Sequence, residues 1–304
     1  MPEIKIVAGG LGFPEGPVAL ADGSVVLTEI NGGWITRITA DGTVTRLGSP
    51  AGGPNGLALG PDGALYLCDN GGSRYVPGHS MGLGPSDDYQ GGSVQRVDLA
   101  TGARKPLYTT VDGEKLSAPN DIVFDKQGGF YFTDLGKRYK RHRDHGGLYY
   151  AQPDGSSVKA IAYPILSPNG VSLSPDERTV YVADTEGARL WAFDIVSPGV
   201  LRPGGLFAAH GGRCLGGLPG HARFDSLAVT AAGNITVATL GTGYISVFSP
   251  VGKLLEELKM PDSYPTNICF GGADMRTAWV TLSDVGQLAR MTWSEPGLRL
   301  NFQQ

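Results

Sequence analysis

Apolar residues in this chain alternate with polar ones in short runs, broken by Gly, Pro and Asp-Gly corners, and no stretch carries them at a helical interval. Six such segments align: "PEGPVALADGSVVLTE" (14–29), "PNGLALGPDGALYLCD" (54–69), "PNDIVFDKQGGFYFTD" (119–134), "PNGVSLSPDERTVYVAD" (168–184), "FDSLAVTAAGNITVAT" (224–239) and "TNICFGGADMRTAWVT" (266–281). Each opens near a polar residue, runs through a strand, turns tightly and leaves through a second strand. That strand stops at Glu29, Asp69, Asp134, Asp184, Thr239 or Thr281, which is 14 positions after the opening residue in five copies and one more in the fourth. Further strand-like runs fill the intervals, among them "GWITRITADGTVTRL" and "GYISVFSPVGKLLEELK".

Each unit therefore predicts four short antiparallel strands, and six units in series predict an all-β, six-bladed β-propeller in one domain over 1–304. The last unit shows only three strands, so "IKIVA" (4–8) is expected to supply its outer strand and close the ring, with the tail "GLRLNF" as a competitor for that place. Two polar, Gly-rich insertions, 70–91 and 136–146, are expected at the rim of a pocket.

Composition narrows the function classes. A length of 304 residues can bury a large core, and 47 Gly fit a chain that turns often. Net charge is −4 without a basic stripe, which argues against nucleic acid; the run Lys137 to Arg143 reads as a solvated loop. "MPEIKIVAGG" has neither the charged nor the apolar segment of a secretory leader, and no apolar run reaches membrane-spanning length, so the expectation is a cytoplasmic chain with no membrane partner. Cys68, Cys214 and Cys269 are scattered and odd in number, which predicts no disulfide framework and three small buried hydrophobes. Nothing in the pattern sets an oligomeric state.

The chemistry is in the opening positions. In a propeller the innermost strands run the same way along the axis, so Glu15, Asn55, Asn120, Asn169, Asp225 and Asn267 should converge on one ring. Asn alone is ordinary turn chemistry, but Glu is a poor turn former, and two carboxylates in a narrow channel repel unless a cation lies between them. An oxygen-only set suits Ca²⁺ or Mg²⁺; the absence of His and Cys from the ring disfavours Zn²⁺ without excluding it or Mn²⁺ in vitro.

"FPEGPV", "APNDIVFD", "SPNGVSLSPDERTVYVADT" and "FDSLAVTAAGNITVAT" resemble the SMP-30/gluconolactonase family, whose members are six-bladed propellers that hydrolyse lactones at a central divalent metal. The resemblance covers nearly the whole chain. It implies Glu15, Asn169 and Asp225 as metal ligands, and Asn120 as a fourth ligand or a substrate contact. The related diisopropyl-fluorophosphatase group places a similar four-residue set on the metal. For a sugar-lactone preference the resemblance implies an Arg two residues before Asn120; this chain has Ala118 there. Recognition then moves to Arg74, Arg138, Tyr139 or another rim residue, or the lactone is apolar or aromatic.

The expected activity is lactone hydrolysis on a small-molecule substrate, with Ca²⁺ as the first choice of metal. Asp225 is the candidate general base or, alternatively, nucleophile, and Asn120 a candidate oxyanion donor. Asp69, Asp134 and Asp184 are expected to cap loops near the pocket or to support the metal indirectly. Tyr75, Tyr89, Tyr139 and Tyr244 are candidates for an aromatic wall, and His142 and His145 read as surface residues. A non-enzymatic binding propeller with a structural metal and a metal-dependent phosphotriesterase stand as alternatives.

Overall fold

A computed structural model of the chain describes residues 2–76, 81–205 and 210–303. In each aligned segment the two strands form the inner half of a four-stranded antiparallel blade. Blade 1 comprises Pro14–Ala19, Val25–Glu29, Trp34–Ile38 and Val44–Leu47, and blade 2 comprises Pro54–Leu59, Leu65–Asp69, Ser93–Val97 and Arg104–Tyr108. Blade 3 runs through Pro119–Phe124, Phe130–Asp134, Gly146–Ala151 and Val158–Ile165. In blade 4, Pro168–Leu173, Thr179–Asp184 and Arg189–Ser197 are followed by an excursion before Arg213–Gly217 pairs on the outside. Blade 5 is Arg223–Val229, Ile235–Leu240, Tyr244–Phe248 and Leu254–Lys259. Blade 6 is Pro265–Gly271, Thr277–Leu282, Gln287–Thr292 and, outermost, Lys5–Ala8.

Burial falls from axis to rim, which explains the change of pattern along each repeat. The innermost strands Pro54–Leu59, Pro119–Phe124 and Pro168–Leu173 are buried throughout, because a blade packs its two faces against its neighbours. Third strands such as Trp34–Ile38 mix buried and half-buried positions, and outer strands such as Leu254–Lys259 are mostly exposed. The core lies between blades: Tyr66 of blade 2 packs edge-on against Phe124 of blade 3 at 4.9 Å between ring centroids. Innermost strands touch in chain order around the axis, the last against the first.

The N-terminal strand closes the ring, with Lys5 opposite Arg290 and Ile6 opposite Ala289. The tail has no place left there and crosses the far end of the channel instead. Leu298 N donates to Val229 O (2.9 Å), Asn301 Nδ2 to Phe124 O (3.0 Å) and Gln303 Nε2 to Phe270 O (2.8 Å), which ties blades 5, 3 and 6 together. Among the cysteines Cys68 is buried and Cys269 partly so, but Cys214 is exposed, contrary to expectation, because it lies on the outer edge strand of blade 4.

Candidate active site

Every innermost strand breaks its ladder register at or next to the ring position: after Glu15, Pro54, Pro119, Pro168, Phe224 and Pro265. A bulge there re-aims the side chain out of the sheet. In three blades the next residue is Gly16, Gly56 or Gly170. A Cβ on Gly56 would stand 2.6 Å from Asn120 O, and one on Gly170 2.5 Å from Leu227 N, so only hydrogen fits between adjacent strands.

The strand-end acids fix the segments leading into the ring. Asp69 accepts from Gly53 N at 2.9 Å, Asp134 from Ser117 N and Ala118 N at 2.7 Å, and Asp184 from Ser167 Oγ at 2.7 Å. Residues one step earlier reach the neighbouring blade: Thr28 Oγ1 donates to Asn55 O at 2.7 Å, and Thr133 Oγ1 donates to Asn169 O. Asp69 and Asp134 thus hold the backbone, and Asp184 the Ser167 side chain, of the loops from which the ring side chains emerge.

Glu15, Asn55, Asn120, Asn169, Asp225 and Asn267 are all buried. Glu15 Oε2 accepts from Gly16 N at 2.8 Å and from Asn267 Nδ2 at 2.9 Å. Asn169 donates from Nδ2 to Thr185 Oγ1 at 3.1 Å and accepts from Ser226 Oγ at 3.4 Å. Burial pushes Glu15 up to about 7 against its hydrogen bonds. Burial, reinforced by the neighbouring Glu15 charge, holds Asp225 well above the usual carboxylate range. Among the described residues, no Lys, Arg or His forms an ion pair with either carboxylate. Asn120 Oδ1 is buried and accepts no hydrogen bond among the described residues. Unpaired buried carboxyl groups beside an unused carbonyl oxygen are what a cation would satisfy. Among the described residues no three His, Cys, Asp or Glu side chains gather as a metal cluster, so any such site here depends on amide oxygens as well as carboxylates.

Beside the ring a cavity of about 180 Å³ opens between blades 2, 3 and 4, with Asn55 and Asn120 in its lining. Ala118, Ser167, Thr185 and Glu186 also line it, together with Lys137, Arg138 and Arg143 from the second insertion. The structure brings Glu15, Asn120, Asn169 and Asp225 to the ring but does not bring Arg74 or Tyr139 to this lining. Arg74 is exposed and its Nη2 lies 3.4 Å from Leu83 O; Tyr139 stacks on His142 at 4.5 Å between centroids. Residues 77–80 of the first insertion lie outside the described residues. His142 and His145 are exposed. The four tyrosines do not form one wall: Tyr89 donates to Ser117 O at 2.7 Å and Tyr244 packs under Lys259, while Tyr75 lies near Glu15, whose charge helps raise its phenol pKa after burial.

Sequence reasoning missed three residues here. Asp121 stands where three other blades have Gly, is buried, accepts from Ile122 N at 2.9 Å, and is pushed up to about 7 by burial, with Glu15 adding to the rise. The departure from Gly was the available signal. Lys137 was expected in a solvated loop, yet it is buried, donating from Nζ to Asn70 O at 2.7 Å and Gly72 O at 2.6 Å. Carbonyls of the first insertion replace its water, and burial lowers its pKa to about 8. Arg143, from the same run, is partly buried with Nη2 on Leu135 O at 2.7 Å.

A family model described as SMP-30/Gluconolactonase/LRE-like region matches residues 13–284. A gluconolactonase of Zymomonas mobilis is 26% identical over 296 residues, covering 88% of this chain and 76% of that protein. Lactonase drp35 of Staphylococcus saprophyticus is 30% identical over 262 residues, covering 86% and 73%. Among solved structures, a gluconolactonase from Xanthomonas campestris superposes with a TM-score of 0.76 at 25% identity, covering 96% of this chain and 89% of that one.

Proposed function

The chain belongs to the SMP-30/gluconolactonase/LRE-like family, and from that premise we propose that it is a hydrolase that opens a lactone at the oxygen-lined ring on the propeller axis. One observation carries the site assignment: two buried carboxylates, Glu15 and Asp225, have no cationic side-chain partner among the described residues and share the ring with the unpartnered Oδ1 of Asn120. The reaction class comes from the names of the relatives, gluconolactonase and lactonase.

The donor set of Glu15, Asn169, Asp225 and Asn120 fits a hard divalent cation, Ca²⁺ ahead of Mg²⁺, Mn²⁺ or Zn²⁺, which when bound would polarise the lactone carbonyl and stabilise the developing oxyanion. Glu15 and Asn169 position; Asn267 holds Glu15 in place through its 2.9 Å hydrogen bond. Asp225 takes a proton from the attacking water as the new C–O bond forms. It returns that proton to the departing ring oxygen as the acyl C–O bond breaks, leaving a hydroxy acid. Asn120 lines the cavity, and its Nδ2 is assigned to donate to the carbonyl oxygen of the substrate.

A panel of aliphatic, aryl and sugar-derived lactones run with several divalent ions, alongside an aryl ester and a phosphotriester, tests the reading. Lactone turnover above both comparators supports it. Faster phosphotriester cleavage would make the chain a phosphotriesterase. No turnover of any substrate with any ion would leave a binding propeller.

A further inference from the structure

The cavity beside the ring departs in charge from the rest of the molecule. In a chain of net charge −4, its lining carries Lys137, Arg138 and Arg143 against one carboxylate, Glu186. Glu186 is already shared, with Oε1 3.4 Å from Arg143 Nη1 and Oε2 3.7 Å from Arg223 Nε. Lys137 directs its ammonium at Asn70 O, Asn70 Oδ1 and Gly72 O, which occupies its donors. The two arginines face each other across an isolated antiparallel bridge in one turn. Arg143 is anchored there by Leu135 O at 2.7 Å, whereas Arg138 is exposed and has no described carboxylate in ion-pair range.

A guanidinium left without an anion on a cavity wall, beside a second one held rigid, presents the planar donor fork that matches a carboxylate. A neutral polyol would leave that charge unused, and an apolar lactone would desolvate it without compensation. We propose that Arg138, with Arg143 beside it, binds a carboxylate carried by the lactone, so that the substrate class is a lactone acid rather than a neutral sugar lactone. The inference rests on the lactonase reading of the ring and adds the feature by which the substrate is chosen. Ala118 lines the same cavity and brings no charge to it, so the cationic side chains of the wall are those of the second insertion.

Two matched pairs test it. Tetrahydrofuran-2-carboxylate and its carboxamide are unreactive and report binding by calorimetry; 5-oxotetrahydrofuran-2-carboxylate and its carboxamide report kcat/KM. The carboxylate member should be favoured by about 30-fold in both pairs, as a charge-assisted contact gives. Arg138→Gln should bring that preference to within about threefold, with the loss falling mainly on the carboxylate members. Equal values for the two members, or an Arg138→Gln loss that affects both alike, would overturn the proposal. If no lactone turns over but the carboxylate still binds preferentially through Arg138, the anion site stands and the lactonase reading fails. If lactones turn over without the preference, the reverse holds.

Discussion

A buried carboxylate without a cation beside it holds its proton more tightly than in water. Glu15 is raised from 4.5 to about 7 and Asp121 from 3.8 to about 7. Between the unfolded and folded values the native chain binds more protons than the unfolded one, so stability is greatest at the acid end and is lost as pH rises toward about 7. Cation-stripped protein should therefore show a falling melting temperature from about pH 4.5 to about pH 7.5, with part of the slope removed in Glu15→Gln. A melting temperature that rises through the interval would contradict the unpaired burial of these carboxylates. Asp225→Ala should reduce kcat by about 10³-fold with the fold intact, as loss of a general base does; activity within about tenfold of wild type would remove Asp225 from that role. At this scale the ring residues were legible because one position recurs in six copies. Asp121 was not, since it replaces a Gly required only by the close approach of neighbouring strands, which a sequence does not display.

At the scale of the strand, the repeat spacing reports the pairing of the first two strands in each blade. The closing acid or Thr lies opposite the residue before the ring position in blades 1 to 5, for example Pro54 opposite Asp69 and Phe224 opposite Thr239. The bulge that follows depends on a missing Cβ. Gly170→Ala should destabilise by about 2 kcal/mol or more, measured by denaturant unfolding, since the clash is with backbone. A neutral outcome would show that the inner strands have slack. Removal of residues 1–8 should lower the melting temperature by roughly 5 °C or more, because Gln287–Thr292 then becomes an open edge; an unchanged value would assign closure elsewhere. The N-terminal strand was legible from its place before the first repeat. The path of the tail was not: "GLRLNF" alternates like a strand, but its partners Val229 and Phe124 belong to different blades, and Gln303 just beyond it reaches Phe270 of a third.

At the scale of the molecule, the tail crosses one end of the channel while the cavity beside the ring lies among the insertion loops. The two insertions are joined there by Lys137, whose ammonium reaches the carbonyls of Asn70 and Gly72 and lies 4.8 Å from the centre of the Tyr89 ring. That contact explains why a run of basic residues looked solvated: its burial is created by a loop some sixty-five positions earlier in the chain. The same long-range packing decides that Arg138 and Arg143, not Arg74, reach the cavity. The fold was therefore readable from local repetition; of the cavity wall, the two insertions and Arg138 were named from sequence, whereas the burial of Lys137 and, in part, of Arg143 was not. The central claim, a cation-dependent lactone hydrolase at the axis, is tested most directly by following lactone ring opening while divalent ions are stripped and restored, with circular dichroism recorded on the same samples. The account predicts that chelation abolishes turnover without unfolding the protein, that Ca²⁺ restores it, and that Asp225→Ala stays inactive under both conditions; full turnover in chelator would contradict it.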